Sequence, residues 1–313
     1  MNPSQNTLTG QTMPWTAALR EHIRLHPVTA GGLALSFLVL LILLVQNITL
    51  LATGQVSQEV HWALLAGGAG FVATTFGALL ALPLKGLPQK IEDSLLGFAA
   101  GMMLAASAFS LILPGIAAGT ELFQSKPLGS GIVIIGLALG TLLMLGLDQF
   151  TPHEHAVTGP CGPGHALCQR SWLFVFAIAL HNLPEGMAMG VSFAQGDLAV
   201  GLPLSTAIAI QDIPEGLAVA LALRGSGMKP LHAVLIASAS GLLEPLGALL
   251  GVGLSSGMAF AYPLGLGLAA GAMLFVVSHE VIPETHRNGH QTPATIGLMG
   301  GFALMLLLDT SLG

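Results

Sequence analysis

Apolar runs long enough to cross a lipid bilayer follow one another along most of this chain, and few folds accept such a succession. They lie at about 31–52, 61–84, 95–117, 130–148, 171–195, 199–222, 231–255, 261–283 and 294–310. A helix needs roughly 20 residues to span the hydrocarbon, and lipid offers no hydrogen-bond partner to an exposed backbone, so runs of this kind are helical. The expectation is an all-α polytopic membrane protein with about nine transmembrane helices. Composition agrees, since only 8% of the 313 residues are charged and the mean hydropathy is +0.80. That balance excludes an ordinary soluble globule. The first run, 31–52, exceeds the ~7–15-residue apolar core of a secretory signal and reads as an uncleaved helix.

Residues 1–30 form a polar tail, with Pro3, Pro14, Arg20, Arg24 and Pro27, that has room for a short amphipathic helix. Nine crossings put the two termini on opposite sides of the membrane. Sorted by that count, Arg20, Arg24, Lys85, Lys90, Arg170, Arg224, Lys229 and Arg287 fall on the N-terminal face and only Lys126 on the other. Basic residues favour the cytoplasmic side, so the N-terminus is expected in the cytoplasm and the C-terminus outside it. Nine Lys and Arg against fifteen Asp and Glu leave no basic patch for nucleic acid. The two cysteines, Cys161 and Cys168, make no disulfide framework. Glycines recur four apart, at Gly97/Gly101, Gly136/Gly140, Gly247/Gly251 and Gly267/Gly271, a spacing that lets helix backbones approach closely in lipid. The longest connection, 149–170, holds His153, Glu154, His155, Cys161, His165 and Cys168. Its spacing matches no structural zinc pattern, and two readings stand, a metal-collecting loop and a solvated linker.

Two short phrases break the apolar pattern, His181-Asn182-Leu183-Pro184-Glu185-Gly186 and Gln211-Asp212-Ile213-Pro214-Glu215-Gly216, 30 residues apart. Each lies about ten to twelve residues into its run, and consecutive spans are antiparallel, so both arrive near the bilayer midplane. His181 with Glu185, and Gln211 with Glu215, share a helix face at four-residue spacing, with Asn182 and Asp212 flanking the same stripe. Each proline frees a backbone carbonyl four residues back, at Leu180 and Ile210, which is tolerable beside a polar cavity. Glu244, mid-span in 231–255 and followed by Pro245, is a further buried acid. A carboxylate at the centre of a spanning helix costs roughly 2.5–3.5 kcal/mol, so Glu185, Asp212, Glu215 and Glu244 together cost on the order of 10 kcal/mol. No mid-span Lys or Arg offsets them, which weighs against a seam that only packs helices and in favour of a bound cation.

Imidazole nitrogen with carboxylate and amide oxygen suits zinc and its first-row neighbours better than calcium or magnesium. Glu185 and Glu215, central in their phrases, are placed to bridge two ions in a binuclear site. Met103, mid-span in 95–117, is either a thioether ligand or a filler of a helix interface. Further polar residues, Asp93, His279, Glu280, Glu284, His286 and His290, collect on the cytoplasmic face. They read either as transient ligands along an exit pathway or as solvated helix ends. His279-Glu280 begins like a zincin motif, but Pro283 stands where the second histidine belongs, so there is no metalloprotease signature.

At these residues the sequence resembles the Zrt/Irt-like protein (ZIP) family of divalent-metal transporters, and its prokaryotic members most. The phrases at 181–186 and 211–216, Glu244 and the string Ser278–Glu284 all match family features, over about 61–310. The resemblance implies an eight-helix metal-transport core with cytoplasmic loop 149–170, to which 31–52 adds an extra N-terminal helix. It further implies a binuclear site, uptake toward the cytoplasm across the bacterial inner membrane, homodimers, and zinc as substrate with cadmium, iron or manganese in some members. Many members have histidine where this chain has Gln211.

The expected function is therefore secondary transport, since no G-x-x-x-x-G-K-[ST] phosphate loop is present. Antiparallel helices with discontinuities at one depth suit an inverted-repeat arrangement and alternating access, and the family resemblance implies an elevator-like movement. An intramembrane zinc metalloenzyme is the alternative, with His181 and Glu185 as its working pair. A cation-diffusion exporter predicts a soluble metal-binding tail after the last helix, and only about three residues follow it here.

Overall fold

In the computed structural model, which describes residues 15–54, 57–84, 86–155, 159–161, 170–255 and 258–312, the chain is almost wholly helical. Residues 1–14 of the expected tail, Lys85, and His165 and Cys168 of the long loop lie outside the described residues. The chain opens with α1 (Trp15–Leu25), the short helix for which the tail had room, then α2 (Pro27–Ala52) and α3 (Gln58–Leu80). The span Gln89–Phe123 joins α4 (Gln89–Ala106), a π-helical segment at Ser107–Ile112 and α5 (Leu113–Phe123), and α6 (Lys126–Phe150) follows. In the loop beyond it, β1 (His153–His155) pairs antiparallel with β2 (Gly159–Cys161). The remaining elements are α7 (Arg170–Ser192), α8 (Leu198–Gly225), α9 (Pro230–Ser240), α10 (Leu243–Ser255), α11 (Ala261–Val276), a π-helical segment at Val277–Val281, α12 (Ile282–His286) and α13 (Gln291–Leu312).

Among the described residues eight segments are long and apolar enough to cross a membrane: α2, α3, α4 to α5, α6, α8, α9 to α10, α11 to α12, and α13. Helix α7 adds 23 residues carrying the first of the two polar phrases. Local chemistry explains the punctuation. Ser57 caps α3 by accepting from the Val60 amide, and Asp197 caps α8 by accepting from the Ala199 amide at 2.9 Å. Both π-helical segments run up to a proline, Pro114 and Pro283. A proline cannot donate to the carbonyl four residues back, and the ladder widens to bonds spanning five, Leu113 to Ala108 and Ile282 to Val277. Pro245 has a stronger effect: the run 231–255 breaks at Gly241 and Leu242, so Glu244 stands in the first turn of α10. Pro184 and Pro214, by contrast, lie inside continuous helices.

Packing proceeds in pairs, α4 with α13, α6 with α11, α7 with α10, and α3 with α8. Within the first three pairs, glycines on each helix press against backbone carbonyls of the other. Gly97 and Gly101 abut the Ala294 and Leu298 carbonyls while Gly297 and Gly301 abut those of Ser94 and Phe98; Gly136 and Gly140 face Leu264 and Leu268; Gly247 and Gly251 face Leu183 and Met187. A Cβ at any of these would overlap the neighbouring backbone. Apolar burial gives helices in lipid no reason to associate, so such approach carries the packing. Helix α10 also lies on α3, and α7 on α8, closing a four-helix bundle around the polar phrases. Helix α2 packs on α10 and α6, with buried Asn47 donating from Nδ2 to the Leu249 carbonyl at 2.9 Å.

Substituting Gly301→Ala should therefore lower the stability of the detergent-solubilised protein by about 1–3 kcal/mol, the usual cost of overpacking. Gly131→Ala, at a position facing open space, should leave the thermal unfolding midpoint unchanged in the same assay.

Candidate metal centre

Three helices of the four-helix bundle each deliver acids to one point. Helix α7 contributes Glu185, α8 contributes Asp212 and Glu215, and carboxylate oxygens of these three lie within 4.8 Å of one another. Glu244 joins them from the first turn of α10, where its charge interacts with Asp212 and Glu185. Glu185 and Glu244 are wholly buried, Asp212 nearly so, and Glu215 half-buried. The two phrases thus meet as their spacing requires, and the break before Pro245 turns Glu244 toward them.

Neutral donors hold one oxygen on each of two acids. Gln211 donates from Nε2 to Glu185 Oε1 at 2.5 Å, and Thr74 of α3 donates from Oγ1 to Glu244 Oε1 at 2.8 Å. The opposite oxygens, Glu185 Oε2 and Glu244 Oε2, together with Asp212 Oδ2 and Gln211 Oε1, are buried and have no hydrogen-bond partner. An unpaired buried carboxylate oxygen is costly, and three of them with one amide oxygen in one bundle match the donor set of a divalent cation. His181 stands against Glu215. Asn182 is buried and turned toward Ser240, with Nδ2 to Oγ at 3.5 Å. Met103 is buried in the apolar core, where its carbonyl accepts from Ser107 Oγ at 2.8 Å.

Sequence reasoning passed over α3. Gly70 faces the acids directly: a Cβ there would overlap Glu244 Oε2 and come within 3.0 Å of Asp212 Oδ2. Gly216 likewise abuts the Thr74 carbonyl, and Gly241 lies against the Thr74 side chain. The available signal was Thr74-Thr75, a polar pair midway along an apolar run and just after the glycine-rich stretch 67–70.

The residues expected along an exit divide into three groups. His279 and Glu280, on the π-helical segment before Pro283, converge with Asp148 at the end of α6, with ligand atoms within 4.8 Å and His279 Nε2 3.8 Å from Asp148 Oδ1. Asp148 was not singled out from the sequence because it closes an apolar run. Asp93, buried in α4, pairs with His290 at 2.7 Å and accepts from Asn288 at 3.1 Å and Gln89 at 3.2 Å. Glu284 instead pairs with Arg287 at 3.5 Å on the exposed surface, and His286 Nδ1 turns to the Ile282 carbonyl at 3.0 Å and the Thr285 hydroxyl at 2.8 Å.

Comparison with known proteins gives a consistent picture. Residues 148–309 match the family model described as ZIP Zinc transporter. The chain is 63% identical over 288 residues to "Zinc transporter ZIPB" of Bordetella bronchiseptica, covering 92% of this chain and 93% of that one. It is 43% identical over 251 residues to "Zinc transporter GufA" of Myxococcus xanthus, covering 80% and 97%. "Zinc transporter ZIP11" of Homo sapiens is 30% identical over 344 aligned positions, covering 82% and 98%.

Replacing Thr74→Val should strand Glu244 Oε1 and destabilise the protein by about 1–3 kcal/mol, the cost of one unmet buried hydrogen bond. Thr74→Ser keeps the hydroxyl and should restore most of the loss, as read by thermal unfolding in detergent.

Proposed function

The chain belongs to the ZIP family, and on that premise we propose that it is a secondary transporter moving zinc and related divalent ions into the cytoplasm through the buried acid cluster. The observation that carries this reading is the convergence of Glu185, Asp212, Glu215 and Glu244, with oxygens that no protein donor covers. A passing cation offsets their charge, as no lysine or arginine does at that depth. The relatives named above are zinc transporters by name, which supports zinc as the substrate and gives no support to an intramembrane metalloenzyme. Cadmium, iron and manganese are further substrates of this reading.

In this proposal the site is binuclear. Glu185 and Glu215 receive the ion first and bridge two positions, His181, Gln211 and Met103 serve one of them, and Asn182, Asp212 and Glu244 complete the other. Helix α7 supplies a ninth crossing, α2 is the extra N-terminal helix, and 61–310 is the transport core. The asymmetry of basic residues supports a cytoplasmic N-terminus and an extracytoplasmic C-terminus in the bacterial inner membrane. The ion leaves past Asp148, His279 and Glu280, then Asp93 and His290; the pairing of Glu284 with Arg287 and of His286 with its own helix leaves those two the weaker contributors. Alternating access follows, within an inverted-repeat arrangement, from an elevator-like slide of the bundle of α3, α7, α8 and α10 against α4, α6, α11 and α13, with the protein a homodimer.

Zinc uptake into proteoliposomes tests the site. Glu185→Ala and Glu215→Ala should each lower uptake at least as much as the ~10–100-fold loss typical of removing a metal site's outer partner, and full transport by either variant would overturn the assignment. Gln211→His exchanges an amide for the imidazole that zinc prefers over manganese, so the ratio of zinc to manganese uptake should rise.

A further inference from the structure

At the N-terminal face, away from the acid cluster, α1 brings a second set of metal-ligating groups against the end of α6. His22, in the last turn of α1, and His26, the residue just past its end, lie four residues apart, with the His26 amide bonded to the His22 carbonyl at 3.0 Å and the ring centroids 4.7 Å apart. The His22 ring also sits edge-on against Phe150 at 4.8 Å, and the backbone of Gln149 hydrogen-bonds to it. Its Nε2 is buried and has no hydrogen-bond partner, and in the tautomer protonated on Nδ1 the lone pair of that nitrogen is free for an ion. The Gln149 side chain offers a second such atom, because its Oε1 is likewise buried and unpartnered. Two unpartnered ligand atoms therefore belong to residues already in contact.

This is the arrangement in which histidine binds metal. A ligating imidazole donates one ring N–H to a backbone carbonyl and presents the lone pair of the other nitrogen to the ion. Burial, reinforced by the neighbouring His26, holds the His22 pKa below the ordinary histidine value, which keeps the ring neutral and able to ligate near neutral pH. His26 is exposed, so its ring is free to swing onto an ion beside His22. The basic neighbours Arg20 and Arg24 are exposed as well, and residues two apart on a helix do not face one another. Two imidazoles and an amide oxygen form a borderline-soft set suited to zinc and its first-row neighbours rather than to calcium or magnesium.

We propose that His22 and His26, with the side-chain oxygen of Gln149, form a divalent-cation site at the N-terminal face, separate from the transport pathway. Helix α6 places this site one residue from Asp148, whose carboxylate belongs to the cluster with His279 and Glu280. The site thus adjoins that cluster along α6 without being part of the exit.

Equilibrium dialysis of the full-length protein in detergent against zinc provides the test, in a Glu185→Ala/Glu215→Ala background. The acid cluster is disabled there whether or not it transports, so the result bears on α1 alone. Adding His22→Ala/His26→Ala should remove one zinc equivalent. The single change His26→Gln touches an exposed side chain and leaves the fold intact; it should weaken that equivalent by about 10-fold or more, the scale of losing a metal-site partner. Unchanged stoichiometry in the double variant, or unchanged affinity in His26→Gln, overturns the proposal.

Discussion

Four carboxylates gathered inside a helical bundle, with no lysine or arginine at their depth, set the terms for the rest of the molecule. Bringing them into the span costs on the order of 10 kcal/mol, far more than neutral hydrogen bonds return at roughly 1 kcal/mol each. Gln211 and Thr74 cover one oxygen each on Glu185 and Glu244, and the remaining deficit is electrostatic. A divalent cation cancels two charges at once, which side-chain donors cannot do. Stability of the bundle and occupancy of the proposed site are thereby linked, since whatever binds the folded state stabilises it.

That electrostatic demand depends in turn on how near the backbones come. Gly186 lies against the backbone of Glu244, Gly216 against the Thr74 carbonyl, and Gly70 against the Glu244 carboxylate itself. An alanine at any of these positions would move a helix or displace an acid. The glycines of the other bundle, such as Gly101 on Leu298 and Gly140 on Leu268, solve the same packing problem without any acid nearby. One steric device therefore serves two ends: it holds the outer pairs together, and around the site it also determines which oxygens face inward.

Much of this was legible in the chain, because lipid makes the physics strict. Apolar runs had to be helices, glycines four apart had to meet backbone, and antiparallel spans had to bring Glu185 and Glu215 to one level. What escaped notice was long-range partnership. Thr74 and Gly70 lie about 170 residues from the acid they serve, and the polar pair Thr74-Thr75 marks α3 locally without naming that distant partner. Asp148 was hidden because it terminates a span, and Gln149 beside it for the same reason. Freed carbonyls were expected from Pro184 and Pro214, which lie inside continuous helices, yet it is the run holding Pro245 that breaks, where Gly241 precedes it and gives the backbone another path. The two π-helical segments follow from Pro114 and Pro283 by the same rule and needed only the missing donor to be followed one turn further.

The unequal halves of the cluster bear on selectivity. Helix α7 presents an imidazole at the position where α8 presents an amide, and the nitrogen of that amide is already engaged with Glu185 at 2.5 Å. Gln211 can therefore face an ion only through its oxygen, so the α8 side of the proposed site is an all-oxygen surface. Oxygen ligands hold zinc less tightly than imidazole does and discriminate less against harder ions. For a binding protein that would be a defect. A transporter has to release what it binds, and conduction requires binding weak enough to leave as well as strong enough to enter. On this reading His181 and the carboxylates capture the ion, while the oxygen-only side keeps the well shallow. Within the proposed function, any breadth of metals accepted and the ease of release would then share one physical origin, the amide at position 211.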